Sequence, residues 1–307
     1  MATRPLLPDG LHVLERGWLS SNNILMIGPD STTLVDSGYS THASQTLALI
    51  ERHLGTKKLD LLVNTHLHSD HCGANAALQQ KYGNLHTIIP PGLAAHVQKW
   101  DPYKLTYSPT GQACPPFRYD SVLAAGTEVN LGGRLWQIHA AAGHDPHSVI
   151  LFQPDIRLLI SADALWENGF GVVFPELEGQ DAFAEVAATL DLIESLEPRT
   201  VIPGHGKVFT DTAAALKTAR RRLTDFVDHP IKHAHYAAKV LLKFKLLELQ
   251  CIEQATLGRL VIEIPYLKLL QSKYFPDLEA AVWAEQLADS LIKSGAAVRD
   301  QNMLINC

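Results

Sequence analysis

Between residues 11 and 65, short β-rich runs alternate with one amphipathic stretch. NNILMIG and STTLVDSG are joined by the turn formers of GPDS and predict paired strands. THASQTLALIERHLG sets Leu47, Ile50 and Leu54 near helical spacing, with Gly55 as a C-cap. LDLLVNT is the unbroken apolar run of a strand covered on both faces. GANAALQQKYG predicts a second helix. Downstream, TEVNLGGRLWQIHA predicts a hairpin turning at LGGR, and SVILFQ and IRLLISAD two further strands. DAFAEVAATLDLIESL predicts a helix and RTVIPG a last strand. Two successive β-then-α halves predict an α/β architecture in layers, with sheets sandwiched between helices.

After about residue 229 the texture changes. HAHYAAKVLLKFKLLELQ and DLEAAVWAEQLADSLIKSG carry apolar residues at three- and four-residue intervals, and AAVRDQNMLIN reads as a small terminal hairpin. The expected organisation is a catalytic domain over 1–229 and a mostly helical, winged-helix-like module over 230–307. Residues 101–120, rich in proline and tyrosine and without a period, are expected to form a long loop or lid.

The 307 residues are 46% hydrophobic and 19% charged, which is ordinary for a globular chain and excludes wholesale disorder. Net charge is −6, and residues 230–307 hold nine Lys/Arg against eight Asp/Glu. That balance disfavours nucleic acid as a partner without excluding it. No apolar run approaches the ~18 residues of a membrane span, and the N-terminus lacks a secretory pattern. Cys72, Cys114, Cys251 and Cys307 are scattered and form no metal-type pair, so a reduced, cytoplasmic setting is expected. A homodimer is an open expectation.

The chemistry gathers where the apolar runs end. THLHSDHCG follows one predicted strand and contains His66, His68, Asp70 and His71. His144 lies in AAGHDPHS, Asp163 closes RLLISAD, and His205 follows VIPG. Five imidazoles and two carboxylates at strand exits, the usual ligand-binding edge of an α/β sheet, form a transition-metal donor set. Seven donors exceed one tetrahedral ion and suit two.

H-x-H-x-D-H followed by separate His, Asp and His resembles the metallo-β-lactamase superfamily, in its glyoxalase II-like hydrolase branch, over roughly residues 11–210. The resemblance implies an αββα sandwich with a dinuclear centre. It places His66, His68 and His144 on one metal, Asp70, His71 and His205 on the second, and Asp163 between them. Asp36, in LVDSG, would support the metal loop from outside. His68 stands where flavodiiron oxidoreductases carry a glutamate. Cys72 is read as a small semi-buried side chain rather than a ligand. ADALWENGFGVVFP departs from the glyoxalase II pattern, and the basic residues that hold glutathione there have no counterpart. The tail resembles both the winged-helix tail of a group of endoribonucleases and the appended helices of a bacterial quinolone-signal thioesterase, and Glu167 matches an acidic residue of the latter.

Two divalent ions, zinc first and iron or manganese as alternatives, would share a water and lower its pKa from ~15.7 to ~7. Asp70 is the candidate to orient that nucleophile and take its proton. A thiolate leaving group needs no general acid, so the expected function is hydrolysis of a small-molecule acyl substrate, foremost a thioester. Open alternatives are a phosphodiesterase or endoribonuclease, a lactonase, a single-iron persulfide dioxygenase, and a regulatory binding protein that keeps the site. Trp166, Phe170, Phe174 and Tyr103 to Tyr107 are candidate walls of an acyl pocket, with Glu167 and the 101–120 loop setting preference. His147 is either a proton donor or a loop histidine. The basic run KTARRR is read as a solvated helix face.

Overall fold

In the computed structural model, which describes residues 7–307, alternation along the strands sends side chains to two cores. Strands β1 (Leu11–Leu14), β2 (Asn23–Ile27) and β3 (Thr32–Val35) form an antiparallel meander. Ile24 and Met26 of β2 enter one core, and Leu25 between them enters the other. Helix α1 (Ala43–Leu54) leads to β4 (Leu61–Val63), which runs parallel to β3. Leu34, Leu62, Ile50 and Leu54 bury together on the helical side, while Val35 and Val63 face the opposite way. After β4 come the one-turn α2 (Ser69–Cys72), α3 (Asn75–Lys81), β5 (His86–Ile89), α4 (Ala94–Lys99), α5 (Tyr107–Thr110) and β6 (Ser121–Val122). The first sheet has the order β1-β2-β3-β4-β5-β6.

The second sheet is built from β7 (Glu128–Leu131), β8 (Arg134–Ala140), β9 (Val149–Gln153), β10 (Leu158–Ala162) and β11 (Thr200–Pro203), in the order β11-β10-β9-β8-β7. Helices α6 (Phe174–Leu177) and α7 (Phe183–Leu196) lie between β10 and β11 in the chain, and α8 (Thr212–Asp228) follows. Every residue of β9 and β10 is buried, which explains their largely apolar sequences. Trp136, Ile138, Val149, Leu151, Ile160 and Ile202 from this sheet pack with Ile24, Met26, Val35 and Val63 from the first, so one core joins the two. Trp136 is fully buried there with its indole N–H donating to Leu131 O at 3.3 Å. Burying a large side chain of this kind contributes about 1.5–3 kcal/mol. The αββα sandwich that the sequence pattern and resemblance implied is thus the fold of this part of the chain.

The described residues divide into two compact units, one of residues 7–101 and 114–224, the other of 102–113 and 225–307. The division falls inside α8, between residues 224 and 225, and that helix continues to Asp228. The expected 101–120 loop is not one structureless lid. Residues 102–113 belong to the second unit, where α5 packs on α11 (Pro265–Tyr274), and Leu105 and Tyr107 are buried.

The second unit also holds α9 (Pro230–Leu249), β12 (Cys251–Glu253), α10 (Gln254–Glu263), α12 (Ala280–Lys293), β13 (Ala297–Asp300) and β14 (Met303–Asn306). The terminal β13–β14 hairpin was legible in sequence. Strand β12, which completes a sheet ordered β12-β14-β13, and helices α10 and α11 were not. Lys243 of α9 reaches across to this sheet: its Nζ donates to Asn306 Oδ1 at 2.6 Å and to the carbonyls of Ala296 and Cys307. Such charge-assisted bonds are worth roughly twice neutral ones, so an amphipathic-helix lysine fastens the wing. Among the described residues, no helix is long and apolar enough to cross a membrane.

Candidate metal centre

The parallel pairing of β3 with β4 sets Asp36 and Asn64 side by side at the carboxyl edge, one residue past the Val35–Val63 pair. Asp36 adopts a left-handed backbone (φ 58°) and turns its carboxylate into the loop that follows β4. Its Oδ1 accepts from the Thr65 backbone N–H at 2.9 Å. Its Oδ2 accepts from the Thr65 hydroxyl at 2.8 Å and lies 2.8 Å from His71 Nδ1. His71 Nδ1 donates to the Asp36 carboxylate, so Nε2 is the nitrogen that can present a lone pair once a metal displaces its proton. That Nε2 is buried and makes no hydrogen bond. An orphaned buried imidazole nitrogen costs free energy unless an electron-pair acceptor meets it, and a metal ion is such an acceptor.

Three other imidazoles converge similarly. His66 Nε2 lies 3.1 Å from His68 Nδ1, and His144 Nε2 lies 2.8 Å from the same atom. His144 Nδ1 donates to Val172 O, which fixes its Nε2 as the inward donor. Donor atoms of His66, His68 and His144 form one group within 4.8 Å, and those of Asp70, His71 and His205 form another. Asp163 stands between the groups. Its Oδ2 is 3.4 Å from His144 Nε2, and its Oδ1 is 3.4 Å from His71 Nε2 and 3.7 Å from His205 Nε2. Asp70 Oδ2 is 3.0 Å from His205 Nε2. All seven residues singled out in the sequence therefore meet at one edge of the sandwich, and their donor set fits divalent metal.

Backbone spacing leaves no slack here. A Cβ on Gly204 would collide with Asp163 Oδ1, and one on Gly171 would collide with His144 Nδ1. Only glycine lets these segments approach so closely. Several supporting residues had no signal in the sequence. Asn22 donates from Nδ2 to Pro203 O at 3.0 Å and Gly206 O at 2.8 Å, bracketing His205. Asn64 donates to His71 O at 3.1 Å and accepts from Asn75 at 2.7 Å. Asp145, beside His144, is buried with Oδ2 3.6 Å from His68 Nε2. Nothing in the local sequence marks Asn22 as buried, and only tertiary contact reveals it as a strut.

The aromatic candidates separate. The Trp166 indole N–H donates to Asp163 Oδ1 at 3.2 Å, and its ring centroid lies 5.3 Å from that of His205. Phe174 lies 5.4 Å from the His68 ring and 6.1 Å from that of His144. Phe170 is instead buried in the protein, with the Arg222 guanidinium 5.6 Å over its ring, so it is core rather than pocket wall. Glu167 is exposed and outside the donor set. The His147 ring packs against Gly92, as a loop histidine does. Of the basic run, Arg220 pairs with Asp191 and Glu194 on α7. These are surface ion pairs, and Lys217 and Arg221 are exposed, as on a solvated helix face.

Burial pushes His68 and His144 from 6.5 down to about 4, and depresses His66 well below its usual range. Their lone pairs are open to a metal at neutral pH. Burial alone would depress His71 too, but Asp163, Asp36 and Asp70 together raise it well above 6.5. Burial opposes ionisation of Asp70 and Asp163, yet the surrounding imidazoles hold both carboxylates below their usual range. Stability consequences follow by linkage. The depressed imidazoles stay neutral when folded, whereas unfolded imidazoles take up protons near 6.5. Metal-free protein should therefore lose stability as pH falls from about 6.5 to about 4, on the order of 3 kcal/mol for each of His68 and His144 at full shift, with His66 adding in the same direction. The raised His71 contributes its full stabilisation below 6.5 and does not offset that loss. Asp145, raised mainly by burial, runs the other way, one group against three. Urea unfolding of metal-free protein at pH 6 and 4.5 should show the lower midpoint at 4.5. Equal midpoints would contradict this electrostatic picture.

Residues 16–205 match the family model of the metallo-β-lactamase superfamily. The chain is 31% identical over 147 residues to a nitric oxide reductase of Moorella thermoacetica, a match spanning 48% of this chain but only 34% of that protein. It is 27% identical over 193 residues to a "probable metallo-hydrolase" of Methanocaldococcus jannaschii, covering 62% of this chain and 89% of the relative. It is 26% identical over 205 residues to a hydroxyacylglutathione hydrolase of Brucella anthropi, covering 67% of this chain and 66% of the relative. A crystal structure of a metallo-β-lactamase family protein from Thermus thermophilus shares the fold, with TM-score 0.57, 17% identity, and coverage of 98% of this chain and 100% of that one.

Proposed function

Because the chain belongs to the metallo-β-lactamase superfamily, we propose that it is a dinuclear metal-dependent hydrolase acting on an acyl centre, foremost a thioester. The observation that carries the reading is the pair of donor groups with Asp163 facing both. His66, His68 and His144 would hold one ion, Asp70, His71 and His205 the other, and Asp163 would be shared; zinc suits these donors best, with iron or manganese as alternatives. When bound, the ions supply Lewis acidity and an acidified water. The protein's own groups do the rest. Asp70, kept ionised by His71 and His205, can accept the proton of an attacking water. The Trp166 indole N–H fixes the orientation of the Asp163 carboxylate. Phe174 beside His68 and Trp166 beside His205 give the two ends of the donor cluster apolar flanks suited to an acyl group.

Leaving-group chemistry supports the thioester. His147 and Glu167, the candidate polar residues named from sequence, are exposed rather than drawn into the cluster. A thiolate departs without protonation, whereas an alkoxide does not. The similarity to a hydroxyacylglutathione hydrolase points the same way. The nitric oxide reductase match covers a third of that protein and lends no activity. Metal-loaded protein should be offered acyl-CoA, acyl-glutathione, a homoserine lactone, a phosphodiester and a short single-stranded RNA. Thioester hydrolysis is expected to exceed phosphodiester cleavage by at least about 100-fold, equivalent to about 2.7 kcal/mol in barrier. Efficient metal-dependent RNA cleavage with negligible thioesterase activity would reverse the assignment.

A further inference from the structure

The thiols of Cys72 and Cys114, separated by 42 positions in the chain, meet at 3.9 Å between sulfurs. Both belong to the first unit. Cys72 ends α2, the one-turn helix that carries Asp70 and His71, and its Sγ sits 3.3 Å from His68 O and 3.5 Å from Leu67 O. Cys72 is buried, while Cys114 is partly exposed. Pro115 and Pro116 follow Cys114 directly. A residue before proline is confined to extended backbone, so the Cys114 main chain is preset and its side-chain rotation is the soft coordinate. A disulfide needs sulfurs ~2.05 Å apart, so closure requires the Cys114 side chain to rotate toward Cys72.

We propose that Cys72 and Cys114 are a site of reversible oxidation, closing to a disulfide beside the metal loop. The oxidant is a hydroperoxide. It reacts at the accessible Cys114 sulfur, where the O–O bond breaks, a sulfenic acid forms, and an alcohol or water leaves. The Cys72 sulfur then forms the S–S bond and expels the sulfenic oxygen as water, which carries away the Cys72 proton. Two thiols lose two electrons in all, and the peroxide gains them. The bond ties the segment that begins at Cys114 to the helix bearing Asp70 and His71. Neither step involves metal or substrate, so the proposal stands apart from the hydrolase reading.

The test uses the full chain carrying Cys251→Ser and Cys307→Ser, which leaves only this pair. After hydrogen peroxide treatment, thiols titrated in denaturant should fall from two to none. Intact mass should drop by two hydrogens in a monomeric species, and dithiothreitol should restore both thiols. Peptide mapping of the native chain should recover a Cys72–Cys114 cross-linked peptide, and Cys114→Ser should abolish it. Retention of both thiols, irreversible gain of oxygen at Cys114 with Cys72 still reduced, or a link only between separate chains would each overturn the proposal.

Discussion

Asp163→Ala is expected to abolish hydrolysis, by at least about 10³-fold, while the sandwich stays folded. Such a loss is about 4 kcal/mol at 1.36 kcal/mol per tenfold. Asp163 is the carboxylate that faces both donor groups, with Oδ2 toward His144 and Oδ1 toward His71 and His205. Removing it takes a donor from each side at once. It also removes the carboxylate that does most to raise His71, so the charge balance of the second group fails together with its geometry. The fold should survive because Asp163 lies beyond the end of β10, outside the core that joins the sheets. Circular dichroism, metal content and turnover of a chromogenic thioester measure the three parts separately. Wild-type turnover in the variant would mean that the chemistry is elsewhere.

Asp36→Asn should be the next most damaging change, costing about 10–100-fold in metal affinity or activity, the range found when the partner of a metal-binding histidine is removed. The substitution is chosen for the backbone: asparagine tolerates the left-handed conformation (φ 58°) that Asp36 adopts. What changes is the acceptor count. Asp36 meets the Thr65 N–H, the Thr65 hydroxyl and His71 Nδ1 with two oxygens. Asparagine offers one oxygen and must aim an N–H₂ at groups that donate. His71 then loses the partner that fixes its tautomer, and its Nε2 is no longer held as the inward donor. Metal titration of wild-type and variant protein reads the effect directly. Equal affinities would remove Asp36 from the account.

The donor set was legible because its members lie just beyond runs that read as strands. His66 follows β4, Asp163 follows β10 and His205 follows β11, so strand prediction alone put them at one kind of edge. The supports were not legible. Asn22, Asn64 and Asp145 are buried, but their partners lie in other segments or other turns, and nothing in local sequence marks a polar residue as a strut. Aromatic content misled in the opposite sense. Phe170 and Tyr107 lie in segments that looked like pocket walls, yet both are buried, Phe170 in the first unit and Tyr107 in the second. Packing partners decide between wall and core, and those partners come from distant parts of the chain. The absence of a period over 101–120 likewise concealed that part of it packs on α11.

If the two groups of donors hold two ions, metal stoichiometry must show it. Protein purified without added metal, then equilibrated with zinc and freed of excess, should contain about two ions per chain by elemental analysis, with activity rising as the second site fills. One ion at full occupancy with full activity would contradict the dinuclear account.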